Sequence, residues 1–167
     1  MGNDFTKKEI RTLWKEAFGD SNDFIDSFID KFYSLERMYA VWKRDKLISV
    51  LHILPFSMNG LKVGYIYGVA TDMEERGKGH ATRLIKKAIT QAKSNNLDAI
   101  ALIPASESLR CYYEKFGFRG CYPATFSGTG DFDFGTGDCS KDLVAILPLK
   151  EVSLPTNGCP VTLEWIG

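Results

Sequence analysis

The sequence predicts an α/β domain with a central mixed sheet and helices on both of its faces. Amphipathic helical segments and strand segments follow one another along the chain. Leu97–Ile103 is nearly all apolar, as expected of a central strand covered on both faces. Tyr65–Ile89 indicates a strand, a glycine-containing turn and a helix, in that order. Because the chain has 167 residues, a single domain over 1–167 is expected.

Two amphipathic helices are predicted first. Thr6–Phe18 begins with the capping-box sequence Thr6-Lys7-Lys8-Glu9 and carries apolar residues on one face. A second helix follows, capped by Asp20 or Ser21, in which aromatic and aliphatic residues recur at helical spacing. Its acidic residues lie on the opposite face, which is typical of a helix that packs one side against a core.

The remaining elements are predicted from strand-type runs and turn signals. Asn59-Gly60 is a strong hairpin turn between two of the strands. Two further helices are predicted, over Gly79–Lys93 and from a Ser106 cap through Phe116. Besides Leu97–Ile103, the predicted strands are Tyr39–Trp42, Leu47–Ser57, Lys62–Thr71, Phe118–Phe126, Leu143–Lys150 and Val161–Ile166.

Composition excludes several classes of protein. The 21 Lys and Arg residues balance 21 Asp and Glu residues, so there is no basic field to hold nucleic acid. No apolar run approaches the ~20 residues that span a bilayer, and no signal core opens the chain, so a cytoplasmic protein is expected. The cysteines lack short paired spacing, which predicts reduced thiols and no metal site; they are Cys111, Cys121, Cys139 and Cys159.

Two motifs carry a family resemblance. Arg76-Gly77-Lys78-Gly79-His80-Ala81 fits Arg-x-x-Gly-x-Ala, and it follows a strand and opens a helix. Tyr113-Glu114-Lys115-Phe116-Gly117-Phe118 fits Tyr-x-x-x-Gly-Phe at the end of a short helix. With both motifs in order, the chain resembles the GNAT superfamily of N-acetyltransferases over about Leu47–Lys150. The segments at 65–71 and 102–109 look most like the amino-terminal domain of Eis-like acetyltransferases.

The resemblance implies acetyl-CoA as the cofactor and a mostly antiparallel sheet with one splayed parallel strand pair. Amides from Gly77 to Ala81, at the start of a helix, suit the pyrophosphate. In the family, the strand before the turn supplies backbone partners for the pantetheine arm. Gly68 is consistent with a bulge that helps this strand to splay away from its parallel neighbour. Three cationic side chains are candidates to neutralise the phosphates, and surface solvation is the simpler interpretation for any one of them; they are Arg76, Lys78 and Lys115. The implied cofactor-binding residues are Val69, Ala70, Thr71, Arg76, Gly77, Lys78, Gly79, His80, Ala81 and Lys115.

The implied reaction is direct attack of an amine on a thioester. Since an alkyl ammonium has a pKa of ~10.4, about one amine in a thousand is neutral at pH 7. In the family a tyrosine returns a proton to the departing thiolate, and Tyr113 occupies that position. Helical periodicity alone does not separate Tyr113 from Tyr112 as a packing residue. The general base stays open among His52, Glu74, His80, Glu107 and a water chain.

The acceptor site is also implied by the resemblance, in which the first two helices and a late loop border the amine. Phe28 is the candidate from the helices. The loop Gly128–Asp138 adds three acidic residues whose charge suits a cationic amine and two phenylalanines for its apolar part: Asp131, Asp133, Asp138, Phe132 and Phe134. A solvated loop without a function is an equal alternative.

Three functions therefore remain open. The first is acetyl transfer to a small primary amine, and the second is acetylation of lysine side chains or amino termini of proteins. The third is a degenerate domain that binds coenzyme A as a sensor or recruits a partner. The sequence names neither the amine nor the oligomeric state, and a homodimer is one alternative.

Overall fold

The computed structural model describes residues 2–134 and 143–167. Within them, the helices are α1 (Asn3–Phe18), α2 (Asn22–Phe32), α3 (His80–Ser94) and α4 (Glu107–Glu114), with short 3₁₀ helices at Leu35–Arg37 and Met73–Glu75. The strands are β1 (Met38–Lys43), β2 (Lys46–Met58), β3 (Leu61–Thr71), β4 (Ala99–Leu102), β5 (Arg119–Ser127), β6 (Leu143–Pro148) and β7 (Val161–Trp165).

The strands form a mixed sheet, which confirms the predicted fold class. They pair in the order β1-β2-β3-β4-β6-β5-β7, and β2 also pairs with β7. Parallel pairing joins β3 to β4 and β5 to β7, whereas β1–β2, β2–β7, β4–β6 and β5–β6 are antiparallel. All four residues of β4 are buried, as the apolar run at Leu97–Ile103 predicts for a central strand.

The chain divides into two compact units. The first comprises Met1–Leu54 and Ile66–Gln91, and therefore holds α1, α2, β1 and the turn between β3 and α3. Its core is built from one face of each helix against the strands: Ile10, Leu13, Trp14, Ile25, Phe28, Ile29, Phe32, Val50, Leu51 and Ile85 are all buried.

The second unit comprises Pro55–Tyr65 and Ala92–Gly167. Its core contains an aromatic cluster in which Phe56, Tyr65 and Phe126 have ring centroids 5.0–5.8 Å apart. The Phe134 ring stacks on Phe126 at 4.8 Å. Beside the cluster lie apolar residues of the late strands: Val144, Ile146, Val161 and Leu163.

The predicted capping box at the start of the first helix is wrong. The helix α1 begins at Asn3, and its N-cap residue, Gly2, offers no side-chain hydrogen bond. Thr6 is buried inside the helix, where its hydroxyl donates to the Gly2 carbonyl at 3.5 Å. The Glu9 carboxylate instead accepts a hydrogen bond from the Leu47 amide at 3.2 Å. The side chain that a capping box needs is therefore bound to a residue far away in the sequence.

The other helix signals are confirmed. The Ser21 hydroxyl accepts the Phe24 amide at 3.2 Å, which selects Ser21 over Asp20 as the cap of α2. The Ser106 hydroxyl accepts the Leu109 amide at 3.2 Å and caps α4. The described residues contain no helix that is long and apolar enough to cross a bilayer.

Candidate functional site

The turn between β3 and α3 has the backbone that an anion site requires. After Thr71, the Asp72 carboxylate accepts the Glu74 amide at 3.0 Å and starts the 3₁₀ helix. Gly77 and Gly79 then take φ angles of 76° and 81°, a left-handed conformation that other residues adopt with strain. The turn passes directly into α3, whose first N–H groups have no partner within a helix. Such amides, with the helix dipole behind them, attract a phosphate.

A charged network surrounds this turn. The Lys43 ammonium lies 2.9 Å from Glu75 Oε1, and the Lys78 ammonium lies 3.2 Å from Glu75 Oε2. The Arg76 guanidinium donates to the Thr71 carbonyl at 3.2 Å. The side chains of Lys78 and Arg76 both contact the turn itself, and their predicted role in neutralising phosphates stays a prediction. Hydrogen bonds from Lys43, His80 and Lys78 lower the pKa of Glu75 to about 2, so its carboxylate is ionised.

His80 is the first residue of α3, and both of its ring nitrogens are engaged. Nδ1 lies 2.7 Å from the Arg83 guanidinium, and Nε2 lies 3.2 Å from Glu75 Oε2. Because a guanidinium only donates, Nδ1 must accept, so Nε2 carries the hydrogen and donates to the carboxylate. A ring with both nitrogens occupied has no lone pair left for a substrate proton. His80 is therefore a poor general base in this arrangement.

The parallel pairing between β3 and β4 is short. Pairing with β4 joins Val63–Tyr65 to Ala99–Ala101 and does not reach the predicted pantetheine segment Val69–Thr71. The register thus agrees with the splayed strand pair that the resemblance implies. Beyond Tyr65, the strand presents backbone groups that β4 does not use, as an amide-containing ligand requires.

Ser49 on β2 contacts the other side of this segment, and no sequence motif singles it out. Its hydroxyl is fully buried, donates to the Ala70 carbonyl at 3.0 Å and lies 2.9 Å from the Thr71 hydroxyl. The Asp72 amide donates to the Ile48 carbonyl at 2.8 Å just beyond. A lone serine in an apolar strand was the available signal, but its partner lies 21 residues away.

Gly68 is needed at its position for two physical reasons. Its φ angle is 64°, which interrupts the extended strand just before Val69. A Cβ atom there would lie 2.1 Å from the Trp14 ring, so any side chain would collide with it. Both the local bend and the close approach of α1 depend on this glycine.

Phe28, predicted to line the acceptor site, is fully buried in an aromatic cluster. Its ring centroid lies 4.7 Å from Trp14, 5.4 Å from Tyr67 and 5.0 Å from His52. In this structure, Phe28 packs in the core of the first unit. Its contact with substrate stays a prediction.

His52 lies at the centre of that cluster and is also fully buried. Neither ring nitrogen has a hydrogen-bond partner in good geometry. Burial lowers the pKa of His52 to about 3, against a small opposing effect of the Tyr67 backbone. An enclosed imidazole of such low basicity is unsuited to remove a proton from an alkyl ammonium. His52 therefore acts as a packing residue.

The second unit carries Tyr113 and Lys115. Tyr113 lies on α4 and is 7% exposed, whereas Lys115 follows the helix and is exposed. The Tyr113 ring packs against Tyr112 at 5.2 Å and Phe118 at 5.9 Å. Burial, with a smaller contribution from Tyr112, raises the pKa of Tyr113 to about 12. Its phenol is therefore protonated at neutral pH.

The late loop is described as far as Phe134. Asp131 and Asp133 are exposed, while Phe132 and Phe134 are buried and contact each other at 4.8 Å. Asp138 lies outside the described residues. The two acidic residues are thus exposed, whereas Phe132 lies in the core of its unit, and their contact with an acceptor amine stays a prediction.

Comparisons with known proteins fit this geometry. A family profile described as an acetyltransferase (GNAT) domain matches residues 3–121. The chain belongs to the GNAT acetyltransferase family. Comparison with curated proteins finds no match.

Solved structures share the fold at low sequence identity. GNAT family YhbS from Escherichia coli, in complex with CoA, has a TM-score of 0.68 and 16% identity, covering 96% of this chain and 84% of that one. A GNAT family acetyltransferase from Brucella melitensis, in complex with acetyl-CoA, has a TM-score of 0.61 and 16% identity, covering 93% and 87%. Acetyl-CoA is the acyl donor of this family.

The Eis-like resemblance is weaker. Eis1 from Mycobacterium abscessus has a TM-score of 0.57 and 14% identity over 75% of this chain. The chain spans 31% of Eis1 and an equal share of a GCN5-related N-acetyltransferase from Anabaena variabilis. What those longer proteins do as wholes does not carry over to this one by fold alone.

Proposed function

We propose that this protein is an acetyl-CoA-dependent N-acetyltransferase that acts on a primary amine by direct attack. The observation that carries the proposal is the turn Arg76–Gly79, with two left-handed glycines at the entrance of α3. The diphosphate of acetyl-CoA would be held by amides from Gly77 to Ala81. Backbone groups of Val69–Thr71, which do not pair with β4, would hold the pantetheine arm. Within this segment the Ala70 and Thr71 carbonyls already accept hydrogen bonds from Ser49 and Arg76.

Bound acetyl-CoA supplies the acetyl thioester. The protein must then lower the barrier for a neutral amine and stabilise the departing thiolate. Family position assigns the second role to Tyr113, which stays protonated because burial raises its pKa to about 12. With His52 enclosed and both His80 nitrogens engaged, Glu74, Glu107 and ordered water remain as routes for the amine proton. Exposed Asp131 and Asp133 favour a cationic acceptor.

The direct test is acetyl-CoA binding followed by thiol release over a panel of amines. Calorimetry is expected to give saturable binding of acetyl-CoA to the whole protein, and polyamines or aminoglycosides are expected to release the CoA thiol. Release with lysine peptides but not with small amines would favour protein acetylation. Binding without release for every amine would indicate a CoA-binding domain that has lost catalysis. No binding at millimolar acetyl-CoA would contradict the proposal.

Gly79→Ala is expected to raise the Kd for acetyl-CoA about ten-fold while the protein stays folded. A Cβ at Gly79 meets nothing within 4 Å, so the change acts through the φ angle of 81° alone. A left-handed alanine is strained by about 1–2 kcal/mol, and relief of that strain turns the neighbouring amides away from the phosphate. Calorimetry with acetyl-CoA measures the effect.

Gly158→Ala is the matched control. Its φ angle is 87° and its Cβ also meets nothing within 4 Å, but it lies in the loop before β7. It imposes a similar strain and is expected to leave the Kd within two-fold of the wild type. Equal affinities for Gly79→Ala and wild type would mean that the turn does not hold the cofactor.

A further inference from the structure

The carboxylate of Glu75 connects the two ends of the predicted phosphate turn. It precedes the turn by one residue, and it accepts from Lys78 within the turn and from His80 just after it, each at 3.2 Å. Its other oxygen accepts from Lys43 on β1 at 2.9 Å. Only 13% of the Glu75 side chain is exposed, so these contacts are partly shielded from solvent.

The contacts form a chain of defined donors and acceptors. The Arg83 guanidinium, one turn along α3, donates to His80 Nδ1, and His80 Nε2 then donates to Glu75. Each link therefore fixes the next, from α3 through the carboxylate to β1. We call this chain, Lys43–Glu75–His80–Arg83 with Lys78, the Glu75 clasp.

We propose that Glu75 is a positioning residue that holds the phosphate turn in its binding conformation before acetyl-CoA arrives. The inference rests on the proposed function of the turn. Two glycines make this turn the most flexible kind of backbone, and ordering a residue takes about 1–2 kcal/mol of conformational free energy. If the clasp has ordered the turn in advance, binding does not have to bear that loss. The carboxylate itself need not touch the cofactor.

A negative charge beside a phosphate site would normally weaken binding. Here the carboxylate is matched by the ammonium groups of Lys43 and Lys78, with a neutral imidazole as the third donor. The group as a whole is therefore not anionic. The effect of Glu75→Gln on acetyl-CoA binding distinguishes this positioning role from that of an internal competitor, which would occupy Lys78 until phosphate displaces it.

Glu75→Gln is the test, because it keeps the shape of the side chain and removes its charge. We expect the Kd for acetyl-CoA to rise about ten-fold, measured by calorimetry on the full chain. Asp45→Asn is the matched control: it makes the same exchange on the exposed turn between β1 and β2. The control is expected to stay within two-fold of the wild type.

A second readout separates positioning from general damage. S-acetylpantetheine lacks the diphosphate, so its KM is expected to be unchanged in Glu75→Gln, whereas the KM for acetyl-CoA rises. The double variant that combines Glu75→Gln with Lys43→Met is expected to bind acetyl-CoA no more weakly than Glu75→Gln alone. The reason is that both changes disrupt the same set of contacts, the Glu75 clasp.

Three results would overturn the inference. Tighter binding of acetyl-CoA by Glu75→Gln would make Glu75 a competitor, and unchanged binding would give it no role. An equal loss with S-acetylpantetheine would place the effect outside the phosphate turn. A wild-type protein that binds no acetyl-CoA contradicts the proposed function instead, and so the two failures are distinguishable.

Discussion

Tyr113→Phe is expected to lower kcat about ten- to a hundred-fold, with the KM for acetyl-CoA within two-fold of the wild type. The pKa of the phenol, about 12, is well above the ~8.5 of a free thiol. Full proton transfer from the phenol to the thiolate is therefore uphill by roughly 5 kcal/mol. A hydrogen bond donated to the developing charge needs no transfer and is worth about 1.5–3 kcal/mol. That range corresponds to the expected loss.

Initial rates of CoA thiol release measure the effect, and Tyr112→Phe is the matched control on the same helix. Tyr112 is more exposed than Tyr113, and its hydroxyl has no assigned role, so kcat is expected to stay within two-fold. The pH profile adds a check: since the phenol stays protonated, Tyr113 gives no falling limb below about pH 11. A normal kcat for Tyr113→Phe, or a large loss in Tyr112→Phe instead, would remove the assignment.

Local sequence signals predicted the fold well where the deciding interaction is short-range. The serine caps at Ser21 and Ser106 each bond an amide three residues on, and that spacing is visible in the sequence. The run Leu97–Ile103 predicted a buried central strand, because a strand that is covered on both faces carries apolar residues at successive positions and does not alternate between apolar and polar ones. Thr6 is the exception, since Glu9 of the expected capping box bonds a residue 38 positions away.

The candidate site was predictable in its backbone and not in its side chains. The spacing of the glycines predicted the position of the turn, because glycine adopts the left-handed conformation far more readily than other residues do. The pairing of Glu75 with Lys43 was not predictable, because Lys43 lies 32 residues away and nothing local pairs the two residues. Lys78 lies three residues from Glu75 and pairs with it in the folded turn, and its contact with a phosphate stays a prediction.

Burial was the other property that the sequence left undecided. Tyr112 and Tyr113 share one helical stripe, and periodicity gave no preference between them. The structure buries Tyr113 more deeply, and this burial sets its pKa. His52 was ambiguous in the same way, as a histidine in an apolar strand is either a ligand-facing group or a packed one. The rings around His52 come from elsewhere in the sequence: Trp14 from α1, Phe28 from α2 and Tyr33 from the residue that follows α2.

The enclosure of His52 predicts a loss of stability in acid. Its pKa is about 3 in the folded protein and near 6.5 when unfolded, so between these values the unfolded chain binds more protons. The stability contributed by the neutral ring is therefore complete above about pH 6.5 and is lost as the pH falls. Linkage gives a loss of about 1.4 kcal/mol in the free energy of unfolding for each pH unit between about 6.5 and about 3.

His52→Leu is expected to remove this slope, because leucine fills an apolar site without titrating. Between pH 7 and pH 4.5, the wild type should lose about 2–3 kcal/mol more free energy of unfolding than the variant, measured by urea denaturation. Leu51→Ala is the control on the same strand: it lowers stability at every pH through a cavity, so its curve should run parallel to the wild type. Parallel curves for His52→Leu and wild type would show instead that the ring is protonated, or reached by solvent, in the folded protein.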